Sequence, residues 1–391
     1  MNARGRTIEI LERLVAFDTV SARSNLALIE FIRALLAEHG IDCRLTFHEG
    51  GEKANLLATI GPPVAGGVVL SGHTDVVPVD GQPWTSDPFR CTVRDNRIYG
   101  RGTADMKGFI ACTLALLSEM TAAPLRVPIH LAFSYDEEVG CLGVPALLDD
   151  LAARLPLPAV AIVGEPTRLD VADRHKGIYG FETIVIGRDG HSSAPHRGVN
   201  AIAAAAELIA LLQRIAAEFR DHGPFDDSFD PPYTTINIGL IEGGTAVNII
   251  PRRCAIRWET RPLPVQDPAE IVGRLDRFAA TDLLPRLRQV APEAEVTTRQ
   301  TVGVAGLMVD AGSPAAALLR RLTGANSTIG VAFTTEAGLF QRAGIPAVVC
   351  GPGSIEQAHQ PDEFVEIDQL EACVALLRKV IAWAAEPSPL P

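Results

Sequence analysis

An α/β fold with a second, α+β domain inserted into it follows from three features of the chain. Before Gly180, short apolar runs that end in Gly, Pro or acidic residues alternate with helix-period stretches, the pattern of a sheet covered by helices. From about Gly180 the texture changes to clean two-residue alternation, as in Ile236, Ile238 and Leu240, which marks a sheet with one face covered. Past Val302 the buried-strand texture returns in Ile345 to Cys350. The boundaries are therefore placed at 1–178 and 301–391 for the two parts of one domain with a mixed sheet, and at 179–300 for the insertion. A chain of 391 residues also exceeds what one hydrophobic core usually serves.

The elements follow in order. Leu28, Ile32, Leu35 and Leu36 share one face of a packing helix that Ser24 can cap and Gly40 can end. Ala54 to Ile60, Val68 to Leu70, Val127 to Tyr135 and Ala159 to Val163 are buried-type strands. The insertion reads as strand (181–187), helix (200–219), two strands (the second 255–260), helix (268–284) and strand (295–301), a β-α-β-β-α-β unit.

Bulk chemistry narrows the function. A net charge of −12 without clustered Lys or Arg disfavours nucleic acid as a partner. No run is long enough to span a bilayer, and the first residues lack the apolar stretch of a signal peptide. Seven scattered cysteines with no C-x-x-C pair read as reduced thiols, so a cytoplasmic location is expected.

Five acidic or imidazole side chains stand just past strand-like runs or just before a helix. In Ser-Gly-His73-Thr-Asp75 the two-residue spacing lets Asp75 orient the imidazole, although a turn with an Asp reads the same way. Gly100-Arg-Gly102-Thr-Ala-Asp105 fails the dinucleotide fingerprint because Asp105 stands where the third glycine belongs, which removes a nicotinamide oxidoreductase. Asp105 is then either a helix N-cap or a bridging carboxylate. Asp136-Glu137-Glu138 closes a strand with three successive acids, which a partly buried site tolerates poorly without a cation. Glu165 ends another strand and His359 follows a third, and strand carboxyl ends are where open α/β folds gather their sites.

Charge supports a shared purpose for these residues. Two zinc ions bring +4, Asp105, Glu138 and Glu165 supply −3, and one hydroxide completes neutrality. Imidazole and carboxylate ligands without thiolates suit catalytic zinc, with cobalt or manganese as substitutes, and leave Glu137 free as a general base.

Together these motifs resemble the di-zinc aminoacylase and carboxypeptidase family, over nearly the whole chain. The resemblance implies that His73 and Glu165 hold one zinc, that Glu138 and His359 hold the other, and that Asp105 bridges them at roughly 3.5 Å. It implies a cis peptide after Asp105, and an inserted domain that serves as lid and dimerisation element of a homodimer. By the same likeness His191, in Gly190-His191-Ser-Ser, reaches a partner's site to stabilise the oxyanion, and Asn248 assists. Arg261 shares strand parity with Arg257 and Glu259, so it can face the cleft and grip a substrate carboxylate. Gly-Pro-Gly-Ser354, Gln-Ala-His359-Gln-Pro-Asp-Glu363 and Thr-Glu336-Ala are most similar to the branch that deacetylates N2-acetyl-L-ornithine, with Glu336 as partner for the substrate ammonium. Ala194 and Gly338-Leu339 depart from better-known members. The small-molecule substrate is thus an N-acyl amino acid, with a dipeptidase, a deacylase of other acyl amino acids and a non-catalytic zinc-stabilised protein as rivals.

Overall fold

The computed structural model describes residues 3–387. They form two compact units: one comprises the chain up to Arg174, Leu307–Gly330 and the chain from Thr335, and the other comprises His175–Gly306 with Val331–Thr334. The changeovers lie a few residues outside 179 and 300, because the flanking strands Ile178–Ile186 and Glu295–Val304 run beyond the alternating stretch seen in the sequence.

The first unit is built on a mixed sheet whose central order is Ala54–Ile60, Ile129–Ser134, Val68–His73, Val160–Pro166, Ala347–Gly351. The last four run parallel to one another, whereas Ala54–Ile60 is antiparallel to Ile129–Ser134. Every residue of those four parallel strands is buried, which explains their near-continuous apolar composition. Alternate side chains face opposite sides. Leu70, Leu131, Ile162 and Val348 join a core with the helices Ala3–Val15, Leu26–Glu38, Gly108–Leu114 and Ile367–Ala384. On the other face pack Val144–Arg154 and Ala337–Arg342. Helices therefore cover both faces, and four strands present their carboxyl ends at one edge.

Two local details sharpen the sequence reading. The helix expected to start at Ser24 runs Leu26–Glu38 with Asn25 in the capping position, yet the Asn25 amide bonds to the backbone of Ala54 instead of the helix. The Ser24 hydroxyl accepts the Leu26 N–H at 3.2 Å. Gly164 is required by close approach, since a Cβ there would lie 2.0 Å from the Phe109 ring. No described helix is long and apolar enough to cross a membrane.

The second unit has the expected element order. Its antiparallel sheet runs Thr235–Gly243, Arg253–Arg261, Ile178–Ile186, Glu295–Val304. Helices Ala201–His222 and Ala269–Phe278 cover one face, packing Leu208, Leu212 and Leu275 against Phe181, Ile256 and Trp258. Phe181 and Trp258 stack at 4.5 Å between ring centroids. The other face carries a charge ladder in which Glu182 takes Arg257 at 3.0 Å and Arg299 at 2.9 Å.

Candidate metal centre

Parallel pairing brings the candidate ligands of the first unit together. His73 ends one strand directly beside Ser134 of the next, and Glu165 lies in the neighbour on the other side. The turn Thr103–Lys107 delivers Asp105 with non-helical dihedrals, and the Asp105–Met106 peptide is cis, as the resemblance implies. Asp105 is not a helix cap, because the following helix starts at Gly108.

The Asp105 carboxylate stands between two imidazoles. Its Oδ1 lies 3.0 Å from His73 Nε2 and its Oδ2 lies 3.4 Å from His359 Nε2. Glu165 Oε1 lies 3.5 Å from His73 Nε2 on one side, and Glu138 Oε2 lies 3.0 Å from His359 Nε2 on the other. Two donor sets sharing one carboxylate result. Glu137 is close enough to compete, since ligand atoms of His73, Glu137 and Glu165 all fall within 4.8 Å, as do those of His73, Asp105 and Glu138. His73 and Glu165 are buried, whereas the His359 side chain is 52% exposed. His359 (φ 64°), Asp136 (φ 56°) and Cys141 (φ 54°) all occupy left-handed backbone, a concentration of strain characteristic of functional sites.

Electrostatics describe a site crowded with acid. Burial pushes the Glu137 and Glu165 carboxyls well above the usual carboxylate range, and burial together with the Asp105 charge brings Glu138 to about 7. Burial opposes a charge on His73, yet Glu165 and Asp105 hold its pKa well above the usual value. Hydrogen bonds to Asp105 and Glu138 raise His359 to about 10. Although burial acts against it, Asp105 is held far below the usual range by the two imidazoles. Divalent cations would take the place of these protons, since ligands must be deprotonated to bind. The donor set is nitrogen and oxygen only, which fits zinc in a catalytic site. Cys141 is the thiol at hand, but burial and the neighbouring Glu137 push its pKa well above normal, and it donates to Glu137 Oε1 at 3.3 Å.

Three sequence expectations change. Asp136 is not part of an uncompensated triad, because its carboxylate turns to Lys53 Nζ at 2.7 Å, so only Glu137 and Glu138 face the centre. Asp75 holds the ring of His73 through its backbone carbonyl, 3.0 Å from Nδ1, whereas its carboxylate oxygen is 3.7 Å away. That carboxylate accepts the N–H groups of Glu137 (3.1 Å) and Glu138 (3.3 Å) and the Ser21 hydroxyl (2.7 Å), so it orients the acid pair. Glu336, expected to meet the substrate ammonium, is fully buried and accepts hydroxyls from Ser71 at 2.8 Å and from Ser134. Each of its oxygens accepts a hydroxyl from one of the strands that lead to His73 and to the acid pair, so the carboxylate braces those two strands.

The remaining expected residues lie in the second unit. His191 is exposed, with Nδ1 engaged by the Ser193 hydroxyl at 2.7 Å, so Nε2 is the ring atom left to act. A bridge between His191 and Ile249, with Ser192 N–H donating to Asn248 O at 3.1 Å, places His191 and Asn248 on adjoining loops. Arg261 shares its face with Arg257 and Glu259 and touches Glu259 at 3.3 Å. Sequence reasoning passed over Glu363 and Arg101, a buried pair at 2.7 Å beside the Asp105 turn. Their signal was only that a Glu four residues after His359 and an Arg between two glycines stand near apolar runs.

Comparison with known proteins adds independent findings. The model of peptidase family M20/M25/M40 matches residues 69–383. The chain is 38% identical over 384 residues to an acetylornithine deacetylase of Myxococcus xanthus, covering 95% of this chain and 96% of that one. Among solved structures it is similar to a Staphylococcus aureus tripeptidase, with TM-score 0.75, 21% identity and 98% of each chain covered. It is also similar to a Bacillus subtilis protein described as a dinuclear metal-binding peptidase, with TM-score 0.66, 17% identity and 97% of each chain covered.

Proposed function

The chain belongs to peptidase family M20/M25/M40, and on that premise we propose that it is a di-zinc amidohydrolase that cleaves N2-acetyl-L-ornithine to acetate and L-ornithine. The observation that carries the chemistry is the Asp105 carboxylate set between His73 and His359, each imidazole paired with its own second carboxylate. The acetylornithine deacetylase of Myxococcus xanthus, matched over nearly the full length, supports the substrate.

In this reading His73 and Glu165 hold one ion, Glu138 and His359 hold the other, and Asp105 is shared. When bound, the pair supplies Lewis-acid polarisation of the acyl carbonyl and of the attacking water. Glu137 takes the proton of that water and passes it to the leaving amine nitrogen. Burial and the neighbouring Glu138 raise its carboxyl well above the usual carboxylate range, which favours holding the proton between the two halves of that transfer. Asp75 keeps Glu137 and Glu138 in register through their N–H groups. His191 Nε2 donates to the developing oxyanion, Asn248 assists, and Arg261 takes the substrate carboxylate in a two-pronged way.

The active form in this proposal is a homodimer in which His191 serves the partner copy. An edge strand with exposed Leu240 and Ile241, next to a loop with exposed Val247 and Ile249, supports it, because such edges are normally covered or charged. All seven cysteines are free thiols, which supports a reducing compartment such as the cytoplasm.

The test is turnover by zinc-reconstituted protein on N2-acetylornithine beside N-acetylmethionine and a dipeptide. Preference for acetylornithine by kcat/KM is expected. Preference for the dipeptide would replace this substrate with a peptide, and hydrolysis of none would remove the catalytic reading.

A further inference from the structure

The turn that carries Asp105 leaves helical geometry at Asp105 and Met106, so backbone donors around it need partners from elsewhere. They converge on one side chain. Glu363 Oε1 accepts the N–H groups of Ala104 (2.9 Å) and Asp105 (3.1 Å), and Oε2 accepts the Gly102 N–H at 3.1 Å and Arg101 Nη1 at 2.7 Å. Gly102 makes this cradle possible, with φ +80° and a Cβ position 2.7 Å from Val76. Successive backbone N–H groups turned inward form a ready anion nest, here filled by a carboxylate of the chain itself.

Glu363 is also the last residue of the loop that carries His359, between strands Ala347–Gly351 and Phe364–Glu366. The strand pairing of Phe364 with Tyr99 and the Gly100 N–H to Glu363 O bond at 2.9 Å fix the loop's end beside the Asp105 turn. Arg101 also anchors the loop at His359, since Nη2 reaches Gln82 Oε1 at 2.6 Å and Gln82 donates to His359 O at 2.9 Å. One loop thus supplies His359 directly and holds Asp105 by its backbone.

We propose that Glu363 is a positioning residue for the shared carboxylate, setting Asp105 between the two imidazoles and coupling it to His359. This rests on the two-metal reading above. A carboxylate is needed because every contact of Glu363 is with a donor; glutamine would turn an NH2 group toward at least one of them.

The experiment titrates zinc into metal-stripped full-length protein against a chromogenic chelator. Wild type is expected to take up two ions. Glu363→Gln is expected to bind them about 10–100-fold more weakly, the range for losing a residue that orients a ligand. At saturating zinc it should lose kcat with little change in KM. Wild-type affinity in Glu363→Gln overturns the proposal. If Glu363 merely neutralises buried Arg101, the double variant Arg101→Gln/Glu363→Gln should regain affinity, which also overturns it; continued weakness supports it. Should Glu363→Gln fail to fold, Glu363→Asp keeps the charge but withdraws the carboxylate by about 1.5 Å, one C–C bond. Weakened zinc binding by that variant supports the proposal, and wild-type binding overturns it. A wild-type protein that takes up fewer than two ions is a separate outcome, sinking the two-metal reading and this inference with it.

Discussion

Replacing Glu336 with glutamine separates two roles that a carboxylate near an active site can have. In the structure its oxygens are occupied by Ser71 Oγ at 2.8 Å and by Ser134 Oγ, hydroxyls from the adjacent strands Val68–His73 and Ile129–Ser134. Glutamine keeps one carbonyl acceptor and presents an NH2 group to the other serine, which can rotate to accept. The change therefore exchanges two bonds to a carboxylate for two weaker neutral ones. The loss is roughly 1–3 kcal/mol, equivalent to a fall of roughly 2–10 °C in unfolding midpoint for a domain of this size. Because the clamp joins the strands that lead to His73 and to the acid pair, Glu336→Gln should lower kcat for N-acetylornithine and N-acetylmethionine in the same proportion. Parallel kinetics on both substrates, with scanning calorimetry, provide the assay. A selective rise in KM for N-acetylornithine at unchanged stability would refute the clamp and restore Glu336 as the ammonium partner.

Glu137→Gln should bind two zinc ions like wild type yet lose turnover by about 10²–10⁴-fold, the usual contribution of a general base; inductively coupled plasma analysis beside kinetics checks it, and full activity would remove Glu137 from the mechanism. Zinc binding should release protons, since Glu138 at about 7 and His359 at about 10 are wholly or partly protonated at neutral pH in the metal-free protein. Affinity should accordingly rise from pH 6 to 8, by about tenfold per unit for each proton released, and calorimetry in buffers of different ionisation enthalpy that detects no release would contradict it. Gly164→Ala would drive a Cβ to 2.0 Å from the Phe109 ring, costing roughly 1–3 kcal/mol or more by overpacking; urea unfolding with a wild-type midpoint would show that the strand and helix have room to part.

The features legible in the sequence were those in which one physical constraint dominates a whole segment. Burial on both faces makes Val68–His73 and Ile129–Ser134 largely apolar, and half-burial makes Arg253–Arg261 alternate, so strands and fold class could be read. The candidate ligands were readable because strand ends of one parallel sheet meet at one edge. What escaped was every choice that depends on which of several neighbours a polar group selects. Asp136 resembles Glu137 and Glu138 in the sequence, yet Lys53, 83 residues away, claims it. Asp75 was read as the orienter of His73 from two-residue spacing, but its carboxylate selects N–H groups 62 and 63 residues on. Glu336 stood beside a motif that suggested substrate, and only the packing of Ala337–Arg342 on the sheet shows it buried. Glu363 stands in the motif around His359, but its role is not legible there because its partners are backbone donors about 260 residues away, which no local pattern records.

The claim on which all of this turns is a metal pair bridged by Asp105. Anomalous diffraction from crystals grown with zinc tests it directly. Two peaks are expected, about 3.5–4 Å apart, one touching His73 and Glu165, the other touching Glu138 and His359, with an oxygen of Asp105 on each. A single peak, or a second ion held by Glu137 in place of Glu138, would contradict the account.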